Sequence, residues 1–295
     1  MVEEKKVKIC ALTTISNTMY WFVVDSMRNL AKNGYDVTLI CNMSNEFAKE
    51  NSDYAKCISL PMTRGASIKN LFKSIKQLTK IFKQEKFDII YYTSPNASMY
   101  AAIAGKKAKI KKRVYSQCGL RYCSFTGIKR FIFKVVEKIT CKYSTHIRAQ
   151  SPMNMKFAID EKLCPRDKIS VIGIGGTIGV ELDKCDACNN AETKTEMRKK
   201  YQIPQDSFVY GYVGRLNKDK GTNELIEAFE KIKEKNQNAY LMLVGMNDRT
   251  NPITDENLKK AESDDHIILT GNRVTAGLLD YVDSVTTITT LGRDK

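Results

Sequence analysis

The stretch Val209-Tyr-Gly-Tyr-Val-Gly-Arg-Leu-Asn-Lys-Asp-Lys-Gly-Thr-Asn-Glu-Leu-Ile-Glu-Ala-Phe229 constrains this chain more than any other. Residues 208–213 are apolar, partly β-branched and aromatic, and are ended by Gly214, as a short buried strand is. From Thr222 the period changes: Leu225, Ile226, Phe229 and Ile232 fall on one helix face, with Glu227, Glu230, Lys231 and Lys233 around the rest. The tight turn between them carries Arg215 and Lys220. Such a turn suits phosphate. Gly214 lets backbone approach a ligand, the helix start supplies free N–H groups and a positive dipole end, and two cations flank it. Arg clamps a diphosphate through parallel hydrogen bonds, whereas Lys acts as a movable point charge. The glycine spacing and the Gly-Lys-Ser/Thr ending of a Walker loop are absent. The competing reading is an exposed loop whose cations are idle.

A chain of 295 residues exceeds one average domain, so two α/β domains are expected. The net charge of +15 is unevenly placed: residues 1–180 hold 31 Lys/Arg against 13 Asp/Glu, and the remainder 17 against 20. The first part therefore meets something anionic: a membrane surface, nucleic acid or phosphorylated substrates. No RNA- or DNA-binding motif is recognisable, and nucleic acid is not an expected partner. The chain shows no signal-peptide core and no apolar run long enough to span a bilayer, which predicts a cytoplasmic protein, with peripheral contact to the inner face of the membrane. Nine scattered cysteines read as reduced core thiols. Cys185-Asp-Ala-Cys188 lacks a second ligand pair, and with only His146 and His266 in the chain no metal site is expected.

Residues 7–14 read as a strand, 15–20 as a polar loop and 21–33 as a helix capped by Gly34, followed by a strand at 36–42. This βαβ unit implies a parallel sheet with helices on both faces. Further strands are expected at 57–60, 88–93 and 112–118, with an alanine-rich helix at 96–106. Helix 68–86 has an apolar stripe of Ile68, Leu71, Phe72, Ile75, Leu78, Ile81 and Phe82, with five lysines opposite. Helix 128–142 sets Phe131, Ile132, Val135 and Ile139 among Lys129, Arg130, Lys134, Lys138 and Lys142. Both helices either pack an apolar face on the sheet with a solvated lysine face, or dock those lysines on an anionic membrane. Residues 184–206 read as an interdomain linker, after a first domain at 1–183 and before a second at 207–295. The second domain is expected to give strands at 208–214, 239–245 and 266–271 and helices at 222–235, 255–262 and near 275–283.

Gly-Arg-Leu-x-x-x-Lys-Gly followed by Leu-Ile-x-Ala-Phe resembles the start of the second domain in family 4 glycosyltransferases of the GT-B fold, of the bacterial capsule and exopolysaccharide type. The resemblance implies two Rossmann-like domains with parallel sheets, the second incomplete here. In it Arg215 and Lys220, with Gly214, hold the diphosphate of a nucleotide-sugar donor. Three further places carry it. Tyr92-Thr-Ser-Pro-Asn-Ala-Ser98 is similar to the His-Thr-Pro-x-x-Ser turn of these enzymes, with Thr93 in place of the usual histidine and Ser94 after it. Gly119-Leu-Arg-Tyr122 (containing Arg121) and Thr126-Gly-Ile-Lys-Arg130 resemble the acceptor-side loop and its helix. Residues 149–153, 168–175 and 179–183 resemble the closing strands of the first domain, which would place Ser151 and Gly173, Gly175 and Gly176 at the sheet's carboxyl edge. The family's glycine-rich first loop is here Thr14-Ile-Ser-Asn-Thr18, where Ser16, Asn17 and Thr18 either bind sugar or phosphate or cap the following helix.

The resemblance also implies transfer, with retention of configuration and no required metal or other cofactor, from a UDP-linked sugar to a lipid-linked or saccharide acceptor in surface polysaccharide synthesis. The family's acidic Glu-x7-Glu segment does not follow Arg215 and Lys220, and the tail from Ser284 alternates too weakly to complete a buried strand. A shortened enzyme is expected, with a non-catalytic donor-binding or regulatory remnant as the alternative.

Overall fold

The computed structural model describes residues 6–62, 68–179, 191–249, 251–271 and 284–285. The chain divides into two compact units, Met1–Gly179 and Val180–Lys295. In the first unit seven parallel strands lie in the order β3-β2-β1-β4-β5-β6-β7. β1 (Lys8–Ile15) and β2 (Asp36–Asn42) are buried nearly throughout, as the inner strands of a parallel sheet must be. Their side chains alternate between two cores. Ile9, Ala11, Val37 and Leu39 pack with Met19 of α1 (Ser16–Phe22), Val24 and Met27 of α2 (Val24–Lys32), Val23 between the two helices, and Phe47 of α3 (Asn45–Glu50). Cys10, Leu12 and Ile40 face the other way, toward α4 (Ile68–Glu85) and α5 (Pro95–Lys107). Helices therefore cover both faces. The remaining strands are β3 (Ala55–Ser59), β4 (Ile89–Tyr92), β5 (Lys112–Gln117), β6 (His146–Ala149) and β7 (Ile169–Val171). Helices α6 (Gly127–Tyr143) and α7 (Pro152–Asp160) follow β5 and β6.

In the second unit four parallel strands lie in the order β10-β9-β8-β11: β8 (Phe208–Val213), β9 (Ala239–Val244), β10 (Ile267–Gly271) and β11 (Ser284–Val285). α9 (Thr222–Lys235) and α10 (Asp255–Ser263) cover one face, where Ile226 and Phe229 meet Leu241 and Leu243. α8 (Ala191–Lys200) belongs to the other face, where Met197 and Tyr201 pack on Ile203, Val209, Met242 and Val244.

Several expectations need correction. Residues 16–20 form helix rather than loop, because α1 starts directly after β1 with Ile15 at its N-cap. Of the 184–206 stretch, 184–190 lie outside the described residues. The rest is helix and turn built onto the second sheet. There Arg198, 2% exposed, donates to the carbonyls of Pro204, Gln205 and Ser207 at 2.8–3.0 Å and so shapes the entry into β8. Ser284–Val285 does pair, parallel to Tyr210–Gly211, since backbone pairing needs no side-chain alternation. Of the seven described cysteines, Cys118 and Cys123 are exposed rather than in the core. The Cys185/Cys188 pair and the helix expected near 275–283 lie outside the described residues. In α4 Ile75, Leu78 and Phe82 are buried as expected, but Phe72 is 68% exposed. α6 is turned over: Phe131, Ile132 and Val135 face outward and Glu137, Thr140 and Cys141 face the sheet.

Candidate functional site

All seven strands of the first unit run one way, so their exits share one edge. β1 leads to β2 on one side and β4 lies on its other side, so the connection reverses between β1 and β4, where open α/β sheets bind ligands. Thr14 and Ser94 meet there: Ser94 Oγ accepts from Thr14 N at 3.1 Å and lies 2.8 Å from Thr14 Oγ1. Ser94 has φ 70 and ψ 141, a conformation L side chains rarely adopt, at the residue before Pro95 and α5. Its hydroxyl ties two strand ends together rather than capping its own helix.

The other first-unit candidates lie along this edge with distinct roles. Ser16, Asn17 and Thr18 occupy the first positions of α1, so none is its cap; Asn17 Oδ1 accepts from Trp21 Nε1 at 3.1 Å. Thr93 is buried and donates to Cys118 Sγ at 3.3 Å. Gly119 is exposed with φ 127, and Arg121 lies 4.9 Å over the Phe133 ring at the entry to α6. Ser151 caps α7, accepting from Asn154 N at 3.1 Å. The glycine turn after β7 rests on the β6 exit: Gly176 N donates to Gln150 O at 2.7 Å. A Cβ on Gly175 would stand 2.4 Å from that same carbonyl, whereas nothing crowds Gly173. Arg148, which the sequence reading passes over, holds the turn from below, donating to Gly176 O at 2.8 Å and Thr177 O at 3.1 Å.

In the second unit the β8–α9 connection is stitched to the loop after β9. Gly214 N donates to Val244 O at 3.0 Å, Leu216 N to Met246 O at 2.9 Å, and Asp248 N to Leu216 O at 3.0 Å. Arg215 Nη1 reaches Asp248 Oδ2 at 2.6 Å; the arginine side chain is 69% exposed and the aspartate 10%. Asn217, 1% exposed, organises the turn. Its Oδ1 accepts from Lys220 N at 2.9 Å, its Nδ2 donates to Asp248 Oδ2 at 3.2 Å, and its backbone N donates to Thr222 Oγ1 at 3.3 Å. Gly221, at φ 67, turns the chain into α9. The connection thus presents Arg215 on an aspartate support and Lys220 one short turn before a helix N-terminus, an arrangement suited to an anion.

Asn217, Asp248 and Gly245 are not among the site residues that the sequence points to. Asn217 carried a readable signal, an Asn three residues before Lys220 at the head of a turn. A Cβ on Gly245 would stand 1.8 Å from Gly214 O and 2.8 Å from Gly214 C, both backbone atoms that cannot step aside. Gly245→Ala is accordingly expected to cost the second unit roughly 3 kcal/mol through overpacking. Hydrogen exchange should show faster opening of β8 and β9 while the first unit keeps its protection; unchanged exchange in β8 would contradict the contact.

Residues 8–151 match the family described as Glycosyl transferase 4-like, and residues 193–282 match Glycosyl transferases group 1. Over 269 residues the chain is 30% identical to the capsular polysaccharide biosynthesis glycosyltransferase CapM of Staphylococcus aureus, covering 91% of this chain and 67% of that protein. It is also 30% identical over 239 residues to the UDP-Gal:alpha-D-GlcNAc-diphosphoundecaprenol alpha-1,3-galactosyltransferase of Escherichia coli, covering 77% of this chain and 59% of that one. Among solved structures, a glycosyltransferase from Rickettsia africae superposes with a TM-score of 0.74 at 19% identity, over 97% of this chain and 73% of its own. Anabaena HepE, solved with UDP and glucose, superposes with a TM-score of 0.71 at 14% identity, over 96% and 73%. The chain belongs to the GT-B glycosyltransferases of the capsule and exopolysaccharide type.

Proposed function

We propose that this chain serves transfer of a sugar from a UDP-linked donor to a lipid-linked or saccharide acceptor in surface polysaccharide synthesis, with retention of configuration. The observation that carries the reading is the β8–α9 turn, where Arg215 is aimed by Asp248 and Lys220 is set before α9. As the glycosidic bond to the donor breaks, negative charge collects on the departing diphosphate. Fixed cations and helix N–H groups at that position stabilise the transition state more than the ground state, which is what lowers the barrier. Arg215 and Lys220 meet this charge themselves, and the reading requires no metal or other cofactor. The first unit is read as the acceptor side, with Ser94, Gly119, Arg121 and Ser151 along one sheet edge and the Gly173–Gly176 turn beside them. A solved neighbour holds UDP-glucose, and the Escherichia coli relative is named for a UDP-sugar donor and a diphosphoundecaprenol-linked acceptor, which supports the choice of both.

Among the described residues no helix is long and apolar enough to cross a membrane. A cytoplasmic chain meeting a lipid-linked acceptor at the inner membrane face is part of the proposal. The test is a thermal-shift series with UDP, GDP and UDP-sugars, followed by transfer of labelled sugar to a polyprenyl diphosphate-linked saccharide. UDP and one UDP-sugar should raise the melting point, and that sugar should be transferred. A chain stabilised by no nucleoside diphosphate would defeat the reading.

A further inference from the structure

The two cations of the β8–α9 connection are tied to one buried side chain, Asn217, which is 1% exposed. Its amide is used at both ends. Oδ1 accepts from Lys220 N at 2.9 Å and caps the short turn Lys218–Lys220, while Nδ2 donates to Asp248 Oδ2 at 3.2 Å. That same carboxylate oxygen accepts from Arg215 Nη1 at 2.6 Å. A second route reaches Arg215 through hydroxyls. Asn217 N donates to Thr222 Oγ1 at 3.3 Å, Thr222 Oγ1 to Tyr212 OH at 3.5 Å, and Tyr212 OH to Arg215 O at 3.0 Å. Thr222 and Tyr212 are buried as well. The partners fix which way the amide points, since the reverse would set a carbonyl against a carboxylate and an NH2 against an N–H. An ionised aspartate would lack the donor, and a serine hydroxyl is one atom where the two partners need two.

We propose that Asn217 is a positioning residue for the diphosphate of the donor. One amide sets Arg215, through Asp248, and the Lys220 backbone together, so the two cations meet the ligand as a pair. This rests on the reading of the β8–α9 turn as the diphosphate site. The Arg215 side chain is 69% exposed, and a long side chain in water samples many rotamers unless something holds it. Buried partners that hold both cations in advance reduce the freedom lost on binding.

Calorimetric titration of UDP into Asn217→Asp and wild type, from mildly acid to mildly alkaline buffer, tests this; the ratio of the two affinities cancels the titration of UDP itself. The charged residues about the position are Arg215, Lys218, Asp219 and Lys220 in its own connection and Asp248 and Arg249 in the loop after β9. The substituted carboxyl would keep the bond from Lys220 N but oppose Asp248. Two carboxyls so close do not both ionise freely, so one titrates high. At the alkaline end the variant should bind UDP about tenfold or more weaker than wild type. As pH falls and one proton bridges the carboxyls, that ratio should shrink several-fold. Adding Asp248→Asn to Asn217→Asp restores a donor facing an acceptor and should remove the pH dependence of the ratio. Asn217→Ser is a second test without a charge change, and carries the proposal should the aspartate variant fail to fold. In its background Arg215→Ala should weaken UDP binding clearly less than in the wild-type background, because the arginine has already lost its hold. Melting points check the folding of each variant. A ratio that stays flat with pH, or an equal effect of Arg215→Ala in both backgrounds, would overturn the proposal and leave the diphosphate site standing. UDP binding unmoved by Arg215→Ala itself would remove the site, and this role with it.

Discussion

Glu137→Ala is expected to destabilise the first unit by about 3–5 kcal/mol, from a cavity and two stranded buried donors. The carboxylate sits under α6 and accepts from Gln117 Nε2 at 2.7 Å and Tyr115 OH at 3.3 Å, with Cys141 Sγ at 3.9 Å. Tyr115 and Gln117 lie on β5, so these bonds fasten the helix to the sheet. The alanine would leave a buried phenol and a buried amide facing each other across a gap. Gln117 already carries a buried Oε1 with no hydrogen-bond partner among the described residues, so its environment has little left to offer. Denaturant unfolding followed by probes in each unit should show the loss in the first. A wild-type midpoint for the alanine variant would refute the role.

Glu137→Gln separates the hydrogen bonds from the charge. Burial pushes the Glu137 carboxyl above its ordinary 4.5, against the lowering effect of its three hydrogen bonds. A carboxyl raised in the folded state binds protons there more readily than in the unfolded chain. Its contribution is therefore fully present below the ordinary value and is lost as pH rises through the raised one. Wild-type stability should fall relative to the glutamine variant as pH rises from acid into that window, then run parallel to it. A difference between the two that does not change with pH would show that the carboxyl titrates alike folded and unfolded.

The same helix shows where sequence reasoning reaches and where it stops. Its 3.6-residue period was legible, and so was the stripe of Phe131, Ile132, Val135 and Ile139, but a period does not say which side faces inward. The inner face is built on Glu137, Thr140 and Cys141, and what admits a carboxylate there is Tyr115 and Gln117, 22 and 20 residues away. The sheet was easier, because buried parallel strands such as β1 and β2 write themselves as unbroken apolar runs. α8 was hidden by its polar composition and docks through Met197 and the carbonyl contacts of Arg198. At the β8–α9 connection a local strand–turn–helix pattern exposed Arg215 and Lys220. Asp248 stands 33 residues from Arg215, in the next βα loop, and only the pairing of β8 with β9 brings the two together.

Arg215→Ala and Lys220→Ala should each weaken UDP binding by roughly 10- to 150-fold, the equivalent of about 1.5–3 kcal/mol for one lost charge-assisted phosphate contact. Stability should hardly move for the arginine, since its side chain is 69% exposed and surface ion pairs contribute little to folding. The two positions should differ in what restores them. Arg215 is oriented by Asp248 and offers a planar fork, so Arg215→Lys should recover only part of the affinity. Lys220 acts as a point charge, and Lys220→Arg should recover most of it. Removing Arg215 also takes one cation from beside the Asp248 carboxylate where the diphosphate would sit, which places Arg215→Ala at the larger end of the range. Calorimetric titration of UDP into each variant, with the melting point as a folding control, measures all of this. Affinities within twofold of wild type for both alanine variants would remove the diphosphate from this turn, and the β8–α9 connection would then be an exposed loop whose cations are idle.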